Sequence, residues 1–200
     1  MKVEVDGRGE LCPRPVIMTK KELDKLDEGT VTTIVDNEVA KENISKLASG
    51  LGLEFTVENT KDEEYYIHIN KWHTEKVRDP EVTKEQATTN DFIVVFNSDE
   101  MGRGDEELGH ILVKGLIYTI KETSPWPNSI IFYNSGVKLA CEGSQALDDL
   151  RYMEEQGVEI LSCGLCLDYY HLQEKLAVGQ ITNMYNIYEK MRNSNNTITI

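Results

Sequence analysis

Residues 71–90 (KWHTEKVRDPEVTKEQATTN) show no regular apolar repeat, while the sequence on both sides shows a strand or helix repeat almost throughout. A polar stretch containing Pro80 does not suit the inside of a core, so it splits the chain into two parts that each bury an apolar face of their own. Residues 1–70 then form a first domain, 71–90 a linker, 91–192 a second domain and 193–200 a C-terminal tail. Trp72 is the one linker residue suited to docking on a domain. The chain has 200 residues, room for two small domains or one large one.

The first 70 residues open with Val3 and Val5 alternating with charge, as in a half-buried strand, followed by a Gly7-Arg8-Gly9 turn. Residues 13–26 place Val16, Ile17, Leu23 and Leu26 at helical spacing, and Gly29 stops the helix. Residues 31–35 read as a strand, 38–51 as a helix, and 53–57 and 65–69 as two further strands. The order βαβαββ, with two helices on one face of four strands, is a two-layer sandwich. In the second domain, residues 92–96, 129–133 and 158–161 are apolar runs of the kind buried on both faces of a parallel sheet. Helices are expected over 105–122 and 145–155 and near 170–177 and 182–192. Leu108, Ile111, Leu112, Leu116 and Ile120 mark the apolar side of the first of these. Strand and helix in alternation imply a doubly wound parallel α/β sheet. Residues 193–200 read as a loose tail, with an edge strand at 198–200 as the alternative.

A net charge of −14 and a pI near 4.7 disfavour nucleic acid and anionic membranes as partners. No apolar run approaches the ~20 residues that span a bilayer, and residues 1–6 do not resemble a leader. The expected location is the cytoplasm. There the four cysteines stay reduced, which suits reactive, metal-binding or inert core thiols.

Cys12 directly precedes Pro13 and so falls near the start of the first predicted helix. Unpaired amides and the positive end of the helix dipole favour an anion there, and the thiolate is the reactive form of cysteine. Pro13 and Pro15 stiffen the turn, Gly9 permits close approach, and Arg8 is positioned to add positive charge. The competing reading is a small buried hydrophobe.

The second constellation is Cys163-Gly-Leu-Cys166, reached directly from a buried strand. It stands at the carboxyl edge of a parallel sheet, where ligand sites prefer to lie. Three readings stay open: a relay or resolving pair, a zinc site recruiting Cys141 and His171, and two structural cysteines. Gly102-Arg103-Gly104 reads as a tight turn with Asp105 capping the next helix, ahead of an anion cradle. Cys141 reads as packing.

Asp6, Arg8, Gly9, Cys12, Pro13 and Pro15 resemble the Asp-x-Arg-Gly-x-x-Cys-Pro-x-Pro signature of the TusA/SirA-like sulfur carriers. That resemblance implies a persulfide sulfur carried on Cys12. Residues 91–192 resemble the DsrE-like family. The matching features are a strand ending before Ser98, Met101-Gly-Arg-Gly104, Glu107-Leu-Gly109, Gly136-Val-Lys-Leu139 and a cysteine after a later strand. This implies that Cys163 is the reactive thiol of that half and that the DsrE-like half self-associates. The fusion, together with Ser162–Tyr170 and Asn183-Met-Tyr185, is similar to the YedF group of sulfurtransferase-like selenium-metabolism proteins.

The expectation is therefore a cytoplasmic sulfur or selenium carrier or relay, in which the adduct on Cys12 passes to Cys163, with Cys166 resolving it, or to a separate acceptor, supported by Asp6, Arg8, Gly9, Pro13 and Pro15. It needs no resident cofactor or metal, only a transient persulfide or selenium adduct. Its partners are a donor such as a cysteine desulfurase and an acceptor protein. The alternative is a non-catalytic, redox-sensing adaptor.

Overall fold

The computed structural model describes residues 1–10, 13–60, 64–72 and 92–200. The chain separates into two compact units, Met1–Thr83 and Lys84–Ile200.

The first unit follows the order β1 (Lys2–Asp6), α1 (Arg14–Lys25), β2 (Gly29–Val35), α2 (Glu38–Gly50), β3 (Glu54–Asn59), β4 (Tyr65–Lys71). Its sheet has the order β1-β2-β4-β3. β1 and β2 are parallel, and β4 runs antiparallel to both β2 and β3. Val31 opposite Ile69 and Thr33 opposite Ile67 put one face of the β2–β4 pair into the core. Leu23, Ala40, Ile44 and Ala48 from the helices cover that face. Asn37 caps α2, its side-chain oxygen accepting the Ala40 amide at 2.8 Å. β4 reaches Lys71, whose Nζ donates to the Leu23 carbonyl at 2.9 Å. Trp72 is 61% exposed. The remaining linker residues, 73–90, lie outside the described residues.

The second unit contains β5 (Phe92–Phe96), α3 (Glu106–Glu122), β6 (Ser129–Phe132), a 3-10 segment (Asn134–Ala140), α4 (Leu147–Glu155), β7 (Glu159–Cys163) and α5 (Gly164–Tyr169). A short 3-10 turn (Gln173–Lys175), β8 (Gln180–Thr182), α6 (Met184–Asn193) and β9 (Asn196–Thr199) complete it. Every strand pair is parallel, in the order β8-β7-β6-β5-β9. The β5 to β8 connections advance in one direction and the β8 to β9 connection returns across the sheet. With right-handed crossovers that is a doubly wound sheet. Ile130, Ile131, Phe132, Val94, Val95 and Phe96 form its buried centre.

Three local readings are corrected. The C-terminal residues are not a loose tail: β9 pairs with β5, Ile200 donating its amide to the Val95 carbonyl at 2.8 Å and accepting from Asn97 at 3.1 Å. β5 is buried from Ile93 to Phe96, and without β9 its outer amides and carbonyls would face a core edge unpaired. The helix after the cysteine strand begins at Gly164, directly behind Cys163, and not near Tyr170. A β-carbon on Gly164 would meet Ile181 Cγ2 at 2.9 Å, so glycine lets β8 lie close. On α3 the buried stripe is Gly109, Val113 and Ile117, while Leu108, Ile111 and Leu112 are exposed. The helix is apolar on more than one side, and Gly109, without a side chain, permits the closest packing.

Asp105 caps α3, its Oδ1 accepting the Leu108 amide at 2.9 Å, so the glycine-rich entry is a turn feeding a cap. Among the described residues no helix is long and apolar enough to cross a membrane.

Candidate functional site

The first candidate site is the turn between β1 and α1. Asp6 ends β1, and its carboxylate takes a two-pronged contact from Arg8, Nε to Oδ1 at 2.9 Å and Nη2 to Oδ2 at 2.7 Å. The Arg8 amide adds a third bond at 3.2 Å. Arg8 Nη1 reaches Glu64 Oε1 at 2.9 Å, and Tyr66 donates its hydroxyl to the other Glu64 oxygen at 3.2 Å. The Arg8 contacts hold the Asp6 carboxyl down at about 2 and push the guanidinium further up. Arg8 is thus occupied by two carboxylates, and its charge is largely neutralised within the turn.

The turn is tied from below as well. Gly7 donates to the Ile34 carbonyl at 2.8 Å. A β-carbon at Gly7 would stand 3.3 Å from Ile34 O and from Pro15 Cβ, so Gly7 and Pro15 pack directly on each other. Gly9 has φ +72°, which a side chain would oppose, and donates its amide to Asp36 Oδ2 at 2.7 Å. That bond is the largest cause holding the Asp36 carboxyl below its ordinary range. Pro15 is buried in the first turn of α1. The hydroxyl of buried Thr19 donates to the Pro15 carbonyl at 2.7 Å and lies 2.9 Å from buried Thr33 Oγ1 on β2. Pro13 is the N-cap position and makes no side-chain cap bond. Cys12, with Leu11, lies outside the described residues.

The second candidate site is the carboxyl edge of the parallel sheet, where the neighbours β5, β6 and β7 run out side by side. Cys163 ends β7 and is 1% exposed. Cys166 sits one turn on in α5 and is half-buried, three residues along the chain from Cys163. Asn134, just past β6, takes a left-handed backbone (φ +52°), a conformation asparagine tolerates. Its amide donates to Cys166 Sγ at 3.1 Å, and its side-chain oxygen accepts the Tyr170 hydroxyl at 3.1 Å. Lys138 Nζ donates to Asp99 Oδ2 at 3.0 Å and lies 5.4 Å from the centre of the Tyr170 ring. Ser135 Oγ accepts the Asp99 amide at 3.2 Å. Burial works against the Asp99 carboxylate, but Ser135 and Lys138 outweigh it and hold the group below its ordinary range. At Cys166 burial dominates and, with the Cys163 contact, pushes the thiol up against the opposing pull of the Asn134 amide.

A sequence profile described as Sulfurtransferase TusA matches residues 3–71. A protein of Methanocaldococcus jannaschii named "putative sulfur carrier protein" is 35% identical over 69 residues, spanning 34% of this chain and 92% of that relative. The chain belongs to the TusA family. The match covers its first third and includes the whole turn built on Asp6, Arg8 and Gly9. Among solved structures, a SirA-like protein from Desulfitobacterium hafniense is 33% identical, covering 35% of this chain and 96% of its own, with a TM-score of 0.34. The ychN protein from E. coli is 12% identical, covering 54% and 97%, with a TM-score of 0.42.

Of the residues singled out in sequence, Asp6, Arg8, Gly9, Pro13 and Pro15 belong to one turn of the TusA unit. Cys163 and Cys166 belong to one edge of the other unit. Two readings of individual side chains change. Arg8 organises Asp6 and Glu64 and does not stand as a free cation. Cys163, the expected reactive thiol, is the buried member of its pair. Glu64, Asp36 and Thr19 in the first site and Asn134, Lys138, Asp99 and Tyr170 in the second were missed. The Asn-Ser-Gly run after β6 was the available signal for a left-handed residue at Asn134. Cys141 is buried, its Sγ donating to the Val137 carbonyl at 3.2 Å, and His171 is exposed; they do not gather with the pair into a ligand set. Among the described residues, the one grouping of three or more metal-type ligands is Glu100, Glu106 and His110, whose atoms lie within 4.8 Å of one another. Glu106 and His110 are exposed, and His110 Nδ1 already pairs with the Asp99 carbonyl at 2.9 Å. The i, i+4 spacing of Glu106 and His110 was legible in sequence.

Proposed function

We propose that this chain is a sulfur carrier that holds its cargo as a persulfide on Cys12. The observation that carries the reading is the TusA match over residues 3–71 together with the turn it contains, in which Asp6, Arg8, Gly9 and Pro15 are each fixed by named bonds or contacts. The M. jannaschii relative is named for sulfur carriage, and we extend that role to this chain. Cys12 immediately precedes Pro13, the N-cap position of α1. Helix-start amides favour a thiolate over a thiol there, and the thiolate is the form that attacks a donor persulfide. The transfer is a thiol exchange: Cys12 sulfur bonds to the terminal sulfur of the donor, and the donor thiol leaves with the proton.

The finer reading is a carrier of the YedF kind, working in the cytoplasm with a DsrE-like second half and with selenium as an alternative cargo. Its donor is a cysteine desulfurase and its acceptor a separate protein; the DsrE-like half self-associates. The experiment is intact-mass measurement after incubation with a cysteine desulfurase and free cysteine, repeated with selenide. After proteolysis, the full chain carries one added sulfur on the peptide that contains residue 12 and the Cys12→Ala chain carries none on that peptide. No added sulfur on the residue-12 peptide of the full chain, with the donor shown to be active, sinks the role of Cys12.

A further inference from the structure

The two thiols of the second unit differ in what can reach them. Cys163 closes β7 and is 1% exposed. Cys166 is half-buried, and its sulfur meets the Asn134 amide at 3.1 Å at the mouth of the sheet edge. The mouth is lined by Tyr170, bonded to Asn134, and by Lys138 over the Tyr170 ring. A sulfur donor arriving from solvent meets Cys166 first, and Cys163, three residues earlier at the end of β7, lies buried behind it.

We propose that the second unit is a sulfur-release site in its own right, in which Cys166 accepts a sulfane sulfur from a persulfide and Cys163 expels it as hydrosulfide by closing a Cys163–Cys166 disulfide. This goes beyond the carrier reading and stands on the thiol geometry of the second unit alone.

The chemistry closes in two steps. In the first, Cys166 sulfur attacks the terminal sulfur of the donor persulfide. The donor S–S bond breaks, and the donor thiol leaves with the Cys166 proton, so no net oxidation occurs. In the second, Cys163 sulfur attacks Cys166 Sγ. The bond to the outer sulfur breaks, and that sulfur leaves with the electron pair and the Cys163 proton. The sulfane sulfur is reduced by two electrons and the two cysteines are oxidised to one disulfide. A dithiol reductant resets the pair and is itself oxidised to a disulfide.

The surroundings favour release over a simple hand-on to Cys163. Passing the outer sulfur to Cys163 makes the Cys166 thiolate the leaving group, and burial favours the neutral form of that thiol over the thiolate. Expelling hydrosulfide makes a more acidic group leave, and exchange is faster when the leaving sulfur is the more acidic one. The Asn134 amide, bonded to Cys166 Sγ, supplies a donor to the sulfur that takes up the cargo, while Lys138 is paired with Asp99 at the rim. A selenium-bearing adduct follows the same two steps.

The test uses the reduced, full-length Cys12→Ala chain with glutathione persulfide, so that failure of the Cys12 reading leaves the result intact. Sulfide is trapped and measured, and the peptides are mapped. One equivalent of sulfide per chain without reductant, repeated turnover with dithiothreitol, and a Cys163–Cys166 disulfide after the single turnover are expected. On the same background, Cys163→Ala keeps the added sulfur on Cys166 and releases sulfide about tenfold more slowly or less. Cys166→Ala gains no sulfur on Cys163. Sulfur on Cys163 in the Cys166→Ala chain, undiminished release from Cys163→Ala, or no sulfide and no disulfide from the parent overturns the proposal. Should a variant not fold, the labelling order in the unsubstituted chain decides. A short iodoacetamide pulse marks Cys166 before Cys163, and Cys163 marked first overturns the order of the thiols.

Discussion

The two candidate sites are both turns that leave a parallel strand, yet they are held by opposite means. In the TusA unit the turn after β1 is fixed largely by charge at the surface: Asp6, Arg8, Glu64 and Asp36 supply five of its bonds, and most of that charge stays in water. In the second unit the edge after β7 rests on burial and neutral donors, the Asn134 amide and the Tyr170 hydroxyl, with one ion pair at the rim. Exposed ion pairs orient groups and contribute little to stability. A close-packed edge has no such tolerance, because every atom is placed against another. The first turn should therefore change its electrostatics with little loss of fold, and the second should lose its fold when an atom is added.

The largest expected effect tests the second half of that contrast. Gly136 follows β6, and a β-carbon on it would stand 2.3 Å from the Phe96 carbonyl oxygen. Neither atom can move without separating the exits of β5 and β6, which share the register that builds the site. Gly136→Ala should destabilise the second unit by more than the roughly 4–5 kcal/mol that is exceptional for one substitution. Chemical unfolding that resolves the two units would show the second transition lost or far earlier, with the first unmoved. A variant of ordinary stability breaks the claim that this edge is close-packed.

A smaller effect is expected beneath the charged turn. Thr19 ties α1 to β2 through Pro15 and Thr33 in the core. Thr19→Val keeps the shape and removes the hydroxyl, leaving Thr33 Oγ1 buried without its Thr19 partner. Leaving a buried polar atom unpaired costs about 1–3 kcal/mol, read as an earlier unfolding of the first unit. No change would mean that the turn is held from above, by charge, and not from below.

How much of this the sequence disclosed follows the same division. The alternation of strand and helix and the glycines that close helices are local signals, and they delimit β1 to β7 and α1 to α4 to within a few residues. β9 was hard to see because Thr197 and Ile198 acquire their meaning only from the unpaired edge of β5, which is distant in sequence. α3 misled because its apolar residues cover more than one side, while its closest contact is made by Gly109, which carries no hydrophobic signal. Motif residues such as Asp6, Arg8 and Gly9 were legible because they sit within four positions of one another. Glu64 and Asp36, which hold that turn, and Asn134 and Lys138, which face Cys166 or its neighbours, are joined to it only by folding.

Cys166 allows the comparison to be read in pH. Its thiol is pushed up by burial and by Cys163. A raised thiol stays neutral to higher pH in the folded chain than in the unfolded one. The stability it favours is thus complete below the unfolded value and is lost as pH rises through the folded one. The alkylation rate at Cys166 should accordingly rise with a midpoint above that of free cysteine, and Cys163→Ala should bring the midpoint down by removing one of the two causes. A midpoint at or below free cysteine would make the Asn134 amide the stronger influence and place both turns in the same electrostatic class.

The smallest effect on stability is expected at Arg8, and it is the sharpest test of the charged turn. Asp6 is held down at about 2 because Arg8 bonds both of its oxygens. A lowered carboxyl contributes whatever stability it has above its ordinary value of 3.8, and that contribution disappears as pH falls through about 2. Arg8→Ala removes the cause, so the Asp6 titration followed by NMR should return toward the ordinary carboxylate range, while the unfolding midpoint at neutral pH barely moves because the pair is exposed. Added salt should produce part of the same shift in the unsubstituted chain, since screening weakens exposed pairs first. If the Asp6 midpoint stays near 2 without Arg8, the turn's own amides hold the carboxylate. The first site would then depend on backbone donors, just as the second depends on Asn134.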